Sequence, residues 1–323
     1  MPGLKLGFDL GSDRMRICVG DRGLVSDEPL IAAVDAYTGD VLAFGEEAGK
    51  MNRRVPSSIE IKSFISGGRI TDFELAEKVI SEKLSYYCGY RLLKPSVYIL
   101  SPMSSVTLYR ITITDLFRSA GAGSVEFVDT CEAAALGAGV DYSAARGVMI
   151  ADAGRGSFCC ATLSLGGVCA ETFRETGGQA MTEAIIKHAY EVKGLELSYE
   201  TAEYLKTTIG TADPGGVELF CSVPGVSAIK KNPLYVEFGA KELCSVIRPV
   251  AAVFAGAMRD AAEASEPDIV ADISRTGCVL CGGCASLRGI APFLEKMTDI
   301  PVKAVADSPD LCAVNGLGEI MNR

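Results

Sequence analysis

The stretch Lys5-Leu-Gly-Phe-Asp9-Leu-Gly11-Ser12-Asp-Arg-Met-Arg-Ile-Cys-Val19 returns, in altered form, as Val148-Met-Ile-Ala-Asp152-Ala-Gly154-Arg-Gly156-Ser157-Phe-Cys-Cys-Ala-Thr-Leu163. Each copy is an apolar run, then Asp, one residue and Gly, then a polar turn and a second apolar run. This pattern predicts a β-hairpin whose glycines let backbone N–H groups approach an anion closely. Two such hairpins, one in each half of the chain, predict two related domains that face one phosphate-bearing ligand.

The composition of the chain limits the classes of protein to which it can belong. With 323 residues, 48% hydrophobic and 22% charged, it can bury a sizeable core and is expected to hold two domains. The net charge of −10 would repel duplex DNA, so we expect no nucleic-acid partner. Twelve cysteines are too sparse for a disulfide-stapled secreted fold. Because neither a signal-like segment nor a spanning apolar run is present, the expectation is a soluble, cytoplasmic protein.

Short strand-like and helix-like runs alternate along both halves. Residues 4–45 predict one meander of antiparallel strands, and apolar spacing over 72–88 predicts a helix. In the second half a long amphipathic helix is predicted over about 240–264 and a strand over 277–280. Alternation of strands and helices favours α/β layers in a tandem of related domains.

The turns carry the residue types that a phosphate chain with Mg²⁺ requires, namely backbone donors, carboxylates and a floor for the nucleoside. The expected donors are Gly11, Ser12, Gly154, Gly156 and Ser157. Asp9 and Asp152 are the expected carboxylates, which would hold Mg²⁺ through water and serve catalysis. Gly282 and Gly283, after a predicted strand, would let an adenosine lie against bare backbone.

These loops and the segments between them resemble the actin and heat-shock-chaperone ATPase superfamily, and within it the bacterial actin MreB family. The resemblance covers nearly the whole chain, and its order and spacing separate the chain from sugar kinases. Its segments are 23–29, 38–48, 68–73, 94–95, 132–139, 164–167, 282–289, 300–302, 307–309 and 312–318.

The resemblance implies an α/β, actin-like ATPase fold of two related domains with a central nucleotide cleft, each with a smaller subdomain. Domain I would be residues 1–142, with a small subdomain at about 28–68, and residues 312–323 would return to it. Domain II would be 143–311, with a small subdomain at about 182–240. The implied ligands are ATP and Mg²⁺, and the further nucleotide-binding positions are Asp13, Arg155, Gly178 and Lys206.

The MreB family also supplies expectations about partners. The chain would assemble with itself into a protofilament and take part in cell shape with other filament or cell-shape proteins. In the family an apolar loop dips into the inner membrane leaflet, which makes Leu92 and Leu93 candidate membrane contacts and the inner face of the membrane a candidate location. The alternative is that these two leucines cover a domain edge.

The chain departs from the family pattern at the active site. The catalytic glutamate that positions the attacking water falls on Thr130, a poor general base, so hydrolysis should be slow or lost. Asp13 and Arg155 replace small residues, and they could pair across the cleft or remain solvated. Further departures are Thr208 for a glutamate, Gln179 for an acidic residue and Cys284 for a glycine.

Two functions follow from the residues and the resemblance. The first is an ATP-switched, actin-like filament protein with weak hydrolysis, and the alternative is a degenerate scaffold with little or no turnover. A small-molecule kinase would need a catalytic base in the cleft, and a chaperone would need a peptide-binding domain.

Cys278, Cys281 and Cys284 have the spacing of a cluster-binding motif, but strand alternation favours packing over ligation. His188 is expected to be a surface or packing residue.

Overall fold

The computed structural model describes residues 3–51, 55–66, 69–89, 93–102, 107–215 and 218–323. The chain forms two compact units, which are described separately below. The first unit is Met1–Gly139 together with Leu311–Arg323, and the second is Val140–Asp310.

The elements of the first unit alternate between strands and helices. They are β1 (Lys5–Leu10), β2 (Arg14–Val19), β3 (Gly23–Pro29), β4 (Ile31–Asp35), β5 (Val41–Phe44), α1 (Glu46–Met51), β6 (Ile59–Ser63), β7 (Ile65–Ser66), β8 (Arg69–Ile70), α2 (Phe73–Cys88), β9 (Ser96–Ser101), α3 (Thr107–Ser119), β10 (Ser124–Asp129) and α4 (Thr130–Gly137). The helix predicted over 72–88 is confirmed as α2, and Asp72 caps its N-terminus by accepting the Leu75 N–H.

The main sheet of the first unit has five strands in the order β10-β9-β1-β2-β3. β1, β2 and β3 form an antiparallel meander, and β9 and β10 run parallel to β1. Leu6, Phe8 and Leu10 of β1 belong to the hydrophobic core, where the ring of Phe8 packs edge-on against Phe117 at 4.8 Å between centroids. The sheet therefore places the end of β1 and the turn that follows it at the carboxyl edge of its parallel strands.

The prediction of one meander over residues 4–45 is wrong. β4 leaves the main sheet and forms a separate three-stranded sheet in the order β5-β4-β6. The break falls after Pro29, which lacks an N–H for a strand ladder. Leu30 is 1% exposed, and its N–H donates to the carbonyl oxygen of Asp13 at 2.7 Å. The chain is thereby anchored at the first turn before it enters the second sheet.

The second unit repeats this alternation. Its elements are β11 (Val148–Ala153), β12 (Phe158–Ser164), β13 (Gly167–Arg174), α5 (Gly178–Lys193), β14 (Leu195–Glu196), α6 (Tyr199–Ile209), β15 (Phe220–Ser227), β16 (Pro233–Gly239), α7 (Ala240–Glu263), α8 (Pro267–Thr276), β17 (Cys278–Cys281), α9 (Ile290–Thr298) and β18 (Val302–Ala304). The long amphipathic helix predicted near 240–264 is confirmed as α7. The sequence interpretation missed α8 and β13.

The main sheet of the second unit has the order β13-β12-β11-β17-β18. Its first three strands are an antiparallel meander, and β17 and β18 run parallel to β11. This is the strand order and orientation of the first unit's main sheet, so the two hairpins quoted from the sequence occupy equivalent places in equivalent sheets. Every residue of β12 is buried, and Phe158 stacks on Phe254 of α7 at 4.6 Å. A three-stranded sheet in the order β14-β15-β16 completes the unit.

The last helix, α10 (Cys312–Asn322), belongs to the first unit and packs on α4. The contact is made through small residues at helical spacing. A Cβ added at Gly137 would overlap the carbonyl oxygen of Cys312, and one added at Gly316 would overlap the carbonyl oxygen of Ala133. The two backbones therefore lie in direct contact, which side chains larger than hydrogen at Gly137 or Gly316 would prevent.

Candidate functional site

The first turn (residues 11–13) joins β1 to β2 at the carboxyl edge of the first sheet. The Gly11 N–H donates to the carbonyl oxygen of Arg14 at 3.1 Å, which closes the turn. Gly11, Ser12 and Asp13 are all partly exposed, so backbone and hydroxyl groups are accessible there. The structure thus brings the predicted residues of this loop together on one hairpin end, immediately after Asp9.

Asp9 faces an arginine across the hairpin. It pairs in register with Arg16, whose Nη1 lies 3.7 Å from the Asp9 carboxylate. Arg16 Nε lies 3.2 Å from Asp27 on β3, and Asp27 also accepts from Arg14 Nε at 2.6 Å. Burial raises the pKa of Asp9, an effect that the Arg16 charge opposes and the Asp27 charge strengthens. The sequence interpretation missed Arg16, although counting residues outward from the turn pairs it with Asp9.

Thr130 is the first residue of α4, at the carboxyl end of β10. β10 and β1 are both parallel to β9, so Thr130 follows a strand at the same sheet edge as the first turn. Asp129 is the N-cap of α4 and accepts the Glu132 N–H at 2.9 Å. Its carboxylate is therefore engaged with the helix backbone, and Thr130, where the resemblance predicts the family's catalytic glutamate, supplies a hydroxyl at the start of α4.

The second turn (residues 154–157) joins β11 to β12 and is braced by the start of α5. The Gly154 N–H donates to the Ser157 carbonyl at 2.8 Å. In return, the N–H of Gly178 donates to the Gly154 carbonyl at 3.0 Å and the N–H of Gln179 to the Arg155 carbonyl at 2.7 Å. The helix N-terminus, which carries a partial positive charge, is thus fixed against the turn.

Arg155 of the second turn is held by an aromatic ring. Its guanidinium carbon lies 5.0 Å from the centroid of the Tyr199 ring, within the range of a cation–π contact. Arg155 is partly exposed as well, so this contact leaves its guanidinium accessible to solvent. The ion pair between Asp13 and Arg155 stays a prediction.

The turn after β17 lies beside the second hairpin. β17 runs parallel to β11 with Cys281 opposite Asp152, so Gly282 follows directly against the aspartate. Gly282 has a φ of +83°, and a Cβ there would overlap the Ala153 carbonyl and approach the Asp152 carboxylate. A Cβ at Gly283 would meet nothing within 4 Å. Gly282 is required by the fold, whereas Gly283 presents bare backbone to open space.

Lys206 lies under the second turn and is 9% exposed. Its Nζ donates to the Gly178 carbonyl at 2.9 Å, to Thr182 Oγ1 at 3.0 Å and to Glu203 at 2.9 Å. Thr182 also donates to Glu203 at 2.6 Å, so the ammonium and carboxylate are both satisfied. The sequence interpretation identified Lys206 but missed Glu203 and Thr182, although Glu203 is three residues before Lys206 on α6.

The structure therefore brings together the predicted site residues of each unit. Those of the second unit are Asp152, Gly154–Ser157, Gly178, Lys206, Gly282 and Gly283. Those of the first unit, at one edge of its main sheet, are Asp9, Gly11–Asp13 and Thr130. Asp152 pairs in register with Cys159, whose thiol donates to Glu171 at 3.1 Å. The N–H groups of Gly11 and Gly154, two of the expected phosphate donors, donate to carbonyl oxygens within their own turns. A hydrated cation fits Asp152 better than Asp9, because Asp9 already faces a guanidinium.

The cysteines near β17 have separate environments. Cys278 lies beside Cys160, whose pKa is raised well above the usual value, first by its hydrogen bond with Cys278 and then by burial. The Cys284 thiol instead donates to the Gly154 carbonyl at 3.3 Å, and burial raises its pKa to about 11. Packing is therefore the better description of these thiols than ligation of a common cluster.

The imidazole Nε2 of His188 lies 2.8 Å from Glu242, so this histidine joins α5 to α7.

Leu92, one of the two candidate membrane contacts, lies outside the described residues, and Leu93 is 63% exposed. Among the helices that the structure describes, none combines the length and apolar character needed to cross a membrane.

Known proteins resemble this chain along nearly its whole length. The family model described as MreB/Mbl protein matches residues 3–323. Cell shape-determining protein MreB of Escherichia coli (strain K12) is 31% identical over 322 residues, covering 98% of this chain and 92% of that protein. Cell shape-determining protein Mbl of Bacillus subtilis (strain 168) is 28% identical over 318 residues, covering 98% and 95%.

Solved structures show the same fold. MreB5 of Spiroplasma citri bound to ADP matches with a TM-score of 0.90 at 23% identity, covering 98% of this chain and 96% of that one. The MamK double helical filament matches with a TM-score of 0.78 at 14% identity, covering 99% of each chain. The predicted α/β, actin-like fold class is confirmed. The chain belongs to the MreB/Mbl family of actin-like proteins.

Proposed function

We propose that this chain is an ATP-binding, self-assembling filament protein with a role in cell shape. The observation that carries the proposal is the pair of Asp-x-Gly turns at equivalent positions of two sheets with the same strand order. The relatives named cell shape-determining proteins support the cellular role, and the filament formed by MamK supports self-association.

The proposed ligand is ATP. The related MreB5 of Spiroplasma citri is known bound to ADP and to AMPPNP, which supports an adenine nucleotide. In this chain the second unit would contact the phosphates through Gly154, Arg155, Gly156 and Ser157 and the nucleoside through Gly282 and Gly283. Lys206 and Gly178 would hold the second turn in place behind the phosphates. Gly11, Ser12 and Asp13 would be the phosphate contacts of the first unit. Mg²⁺, bound through water at Asp152, would neutralise phosphate charge.

We propose that residues 1–142, to which 312–323 return, and residues 143–311 act as two domains, with small subdomains at about 28–68 and 182–240. ATP would favour closure of the domains because it binds the closed state better than the open one. Closure would present complementary ends for head-to-tail contacts, which extend as a filament because they are heterologous. The inner membrane surface, through Leu92 and Leu93, and other cell-shape proteins are proposed as further partners.

The test of this proposal is nucleotide binding together with assembly. Purified protein with ATP and Mg²⁺ is expected to pellet above a critical concentration and to bind a fluorescent ATP analogue. Gly283→Val fills the open space above the turn, and it should weaken ATP binding at least about tenfold without lowering the melting temperature. Gly256→Ala on α7, where a Cβ also meets nothing within 4 Å, is the matched control. Failure of the unmodified protein to bind ATP or to pellet would contradict the proposal.

Hydrolysis is expected to be slow because Thr130 cannot act as a general base. Thr130→Glu should raise the rate of phosphate release from ATP at least about tenfold, since a positioned base contributes on the order of 10²–10⁴-fold. A glutamate at the first helical position is also compatible with the helix dipole of α4. Thr130→Gln, which has the shape but lacks the basic oxygen, should remain at the rate of the unmodified protein. Equal rates for the Glu and Gln variants would show that Thr130 does not occupy the catalytic position.

The alternative function, a degenerate scaffold with little or no turnover, is favoured by Thr130 and by the engagement of Asp129 as a helix cap. Assembly that proceeds equally with and without ATP, together with undetectable phosphate release, would favour the scaffold.

A further inference from the structure

Three side chains of metal-binding types lie on one face of the second unit's main sheet. Cys159 on β12 pairs in register with Asp152 on β11, and Ala161, two residues later on the same face of β12, pairs with Glu171 on β13. The Cys159 thiol donates to the Glu171 carboxylate at 3.1 Å. The thiol therefore has one carboxylate directly opposite it and a second on its diagonal, contributed by the strands on either side.

The small size of Ala161 allows Glu171 to reach the thiol. Diagonal neighbours on an antiparallel pair lie about 7–8 Å apart, which a long side chain can span when the residue opposite it is small. Cys159 is 3% exposed, whereas Asp152 and Glu171 are partly exposed. The sulfur is thus shielded from solvent, and the two carboxylates provide a path by which an ion can enter.

A thiolate with two carboxylates is a ligand set for zinc. Zn²⁺ binds sulfur at about 2.3 Å and carboxylate oxygen at about 2.0–2.2 Å, so a tetrahedral site separates the two ligand atoms by about 3.6 Å. The 3.1 Å between Cys159 Sγ and Glu171 Oε1 is within about 0.5 Å of that separation. Mg²⁺ and Ca²⁺ prefer oxygen ligands, so the sulfur favours zinc over both.

The equivalent row of the first unit's main sheet does not carry such a set. There Arg16 on β2 pairs in register with Asp9 on β1 and with Asp27 on β3. A guanidinium has only hydrogen-bond donors and stays charged, so it cannot ligate a metal ion. Of the two rows, only the one that contains Cys159 has a metal ligand in its middle position.

We propose that Asp152, Cys159 and Glu171 bind a Zn²⁺ ion, with water in the fourth coordination position. The site goes beyond the proposed function, because it requires neither nucleotide nor assembly. Binding exchanges the thiol proton for the ion: the S–H bond breaks, an S–Zn bond forms and the proton passes to solvent, with no change in the oxidation state of the metal. Zinc contacts Asp152 directly, whereas the Mg²⁺ of the proposed function would contact it through water, so the test omits Mg²⁺ and nucleotide.

Equilibrium metal binding to the full chain tests the site. The reduced protein, freed of metal with EDTA, is titrated with Zn²⁺ against a chromophoric chelator, and with Co²⁺, whose bond to a thiolate gives a near-ultraviolet charge-transfer band. Cys159→Ser should abolish the band and weaken zinc binding at least about tenfold, since even a residue that only orients a ligand contributes about 10–100-fold. Glu171→Gln should weaken zinc binding by a similar factor, and its partly exposed position keeps the test decisive where Cys159→Ser does not fold.

Cys169→Ser is the matched control. Cys169 is an exposed thiol on β13, two residues before Glu171. Its replacement should leave the zinc affinity and the cobalt band unchanged. Thermal melting followed by circular dichroism identifies the folded variants, and zinc should raise the melting temperature of the unmodified and Cys169→Ser proteins but not that of Cys159→Ser.

Failure of the unmodified protein to bind Zn²⁺ would overturn the inference, as would unchanged zinc affinity in a folded Cys159→Ser or Glu171→Gln protein. A cobalt band that is lost in Cys169→Ser and retained in Cys159→Ser would also overturn it, because the metal would then be bound at the exposed thiol. ATP binding and pelleting with Mg²⁺, measured on the same protein, test the proposed function separately, so either proposal can fail while the other holds.

Discussion

Gly316→Val is expected to destabilise the first unit by about 4 kcal/mol or more, enough to leave much of the protein unfolded. Gly316 lies on α10 where a Cβ would overlap the carbonyl oxygen of Ala133 on α4. Both sides of this contact are backbone, so the overlap cannot be relieved by a rotamer change. The two helices would have to separate, which would expose apolar residues that α10 itself buries, among them Val314 and Leu317.

Urea unfolding followed by circular dichroism measures this effect, with the reciprocal variant Gly137→Val expected to behave in the same way. Gly318→Ala is the matched control on the same helix, because a Cβ there meets nothing within 4 Å. It should be neutral or stabilise by up to about 1 kcal/mol, as expected for Gly→Ala in a helix. A Gly316→Val protein as stable as the Gly318→Ala protein would show that the α4–α10 contact is not as close as described.

Lys206→Met is expected to destabilise the second unit by about 3 kcal/mol. The ammonium makes hydrogen bonds to Gly178, Thr182 and Glu203, and its loss would leave the Glu203 carboxylate without its cation in a half-buried position. It would also release the start of α5, whose N–H groups brace the second turn, so nucleotide binding should weaken together with stability.

The free energy of unfolding from urea titration provides the measurement. Lys187→Met is the control, because Lys187 is on α5 but its side chain is 72% exposed and pairs with Glu191 at 3.9 Å, so its loss should cost about 0.5 kcal/mol or less. Adding Glu203→Gln to Lys206→Met should recover part of the lost stability, because the unpaired charge is removed. Equal stability of the Lys206→Met and Lys187→Met proteins would refute the supporting role of Lys206.

The elements were predictable where their cause is local. Apolar spacing identified α2 and α7, and the Asp-x-Gly turns identified both hairpins, because side-chain period and turn chemistry act within a few residues. The assignment of β4 to the first meander failed for a different reason. Strand-like residues look alike in any sheet, and the choice of sheet depends on Pro29 and on the bond from the Leu30 N–H to the Asp13 carbonyl.

The residues of the candidate site also fall into those that the sequence predicted and those that only the fold brings together. Gly11, Gly154, Gly282 and Lys206 were recognisable from pattern and resemblance, and the structure gives each a defined position. Their supporting residues were missed because their roles arise from segments that meet across space. Thr182 and Glu203 meet Lys206 only when α5 and α6 pack together, and Arg16 reaches Asp27 only when β3 pairs with β2.

By itself, the sequence determined the repeated hairpin and the alternation of strands and helices, since these follow from residue identity and short-range periodicity, and its resemblance to the MreB family predicted the actin-like fold. The tertiary structure decided which carboxylates are neutralised, which glycines the fold requires and where the chain changes sheets. The physical reason is that charge compensation and backbone contact depend on distances between residues far apart in the chain. Asp9 and Asp152 share one sequence pattern, and the strands beside them give one a guanidinium and the other a thiol.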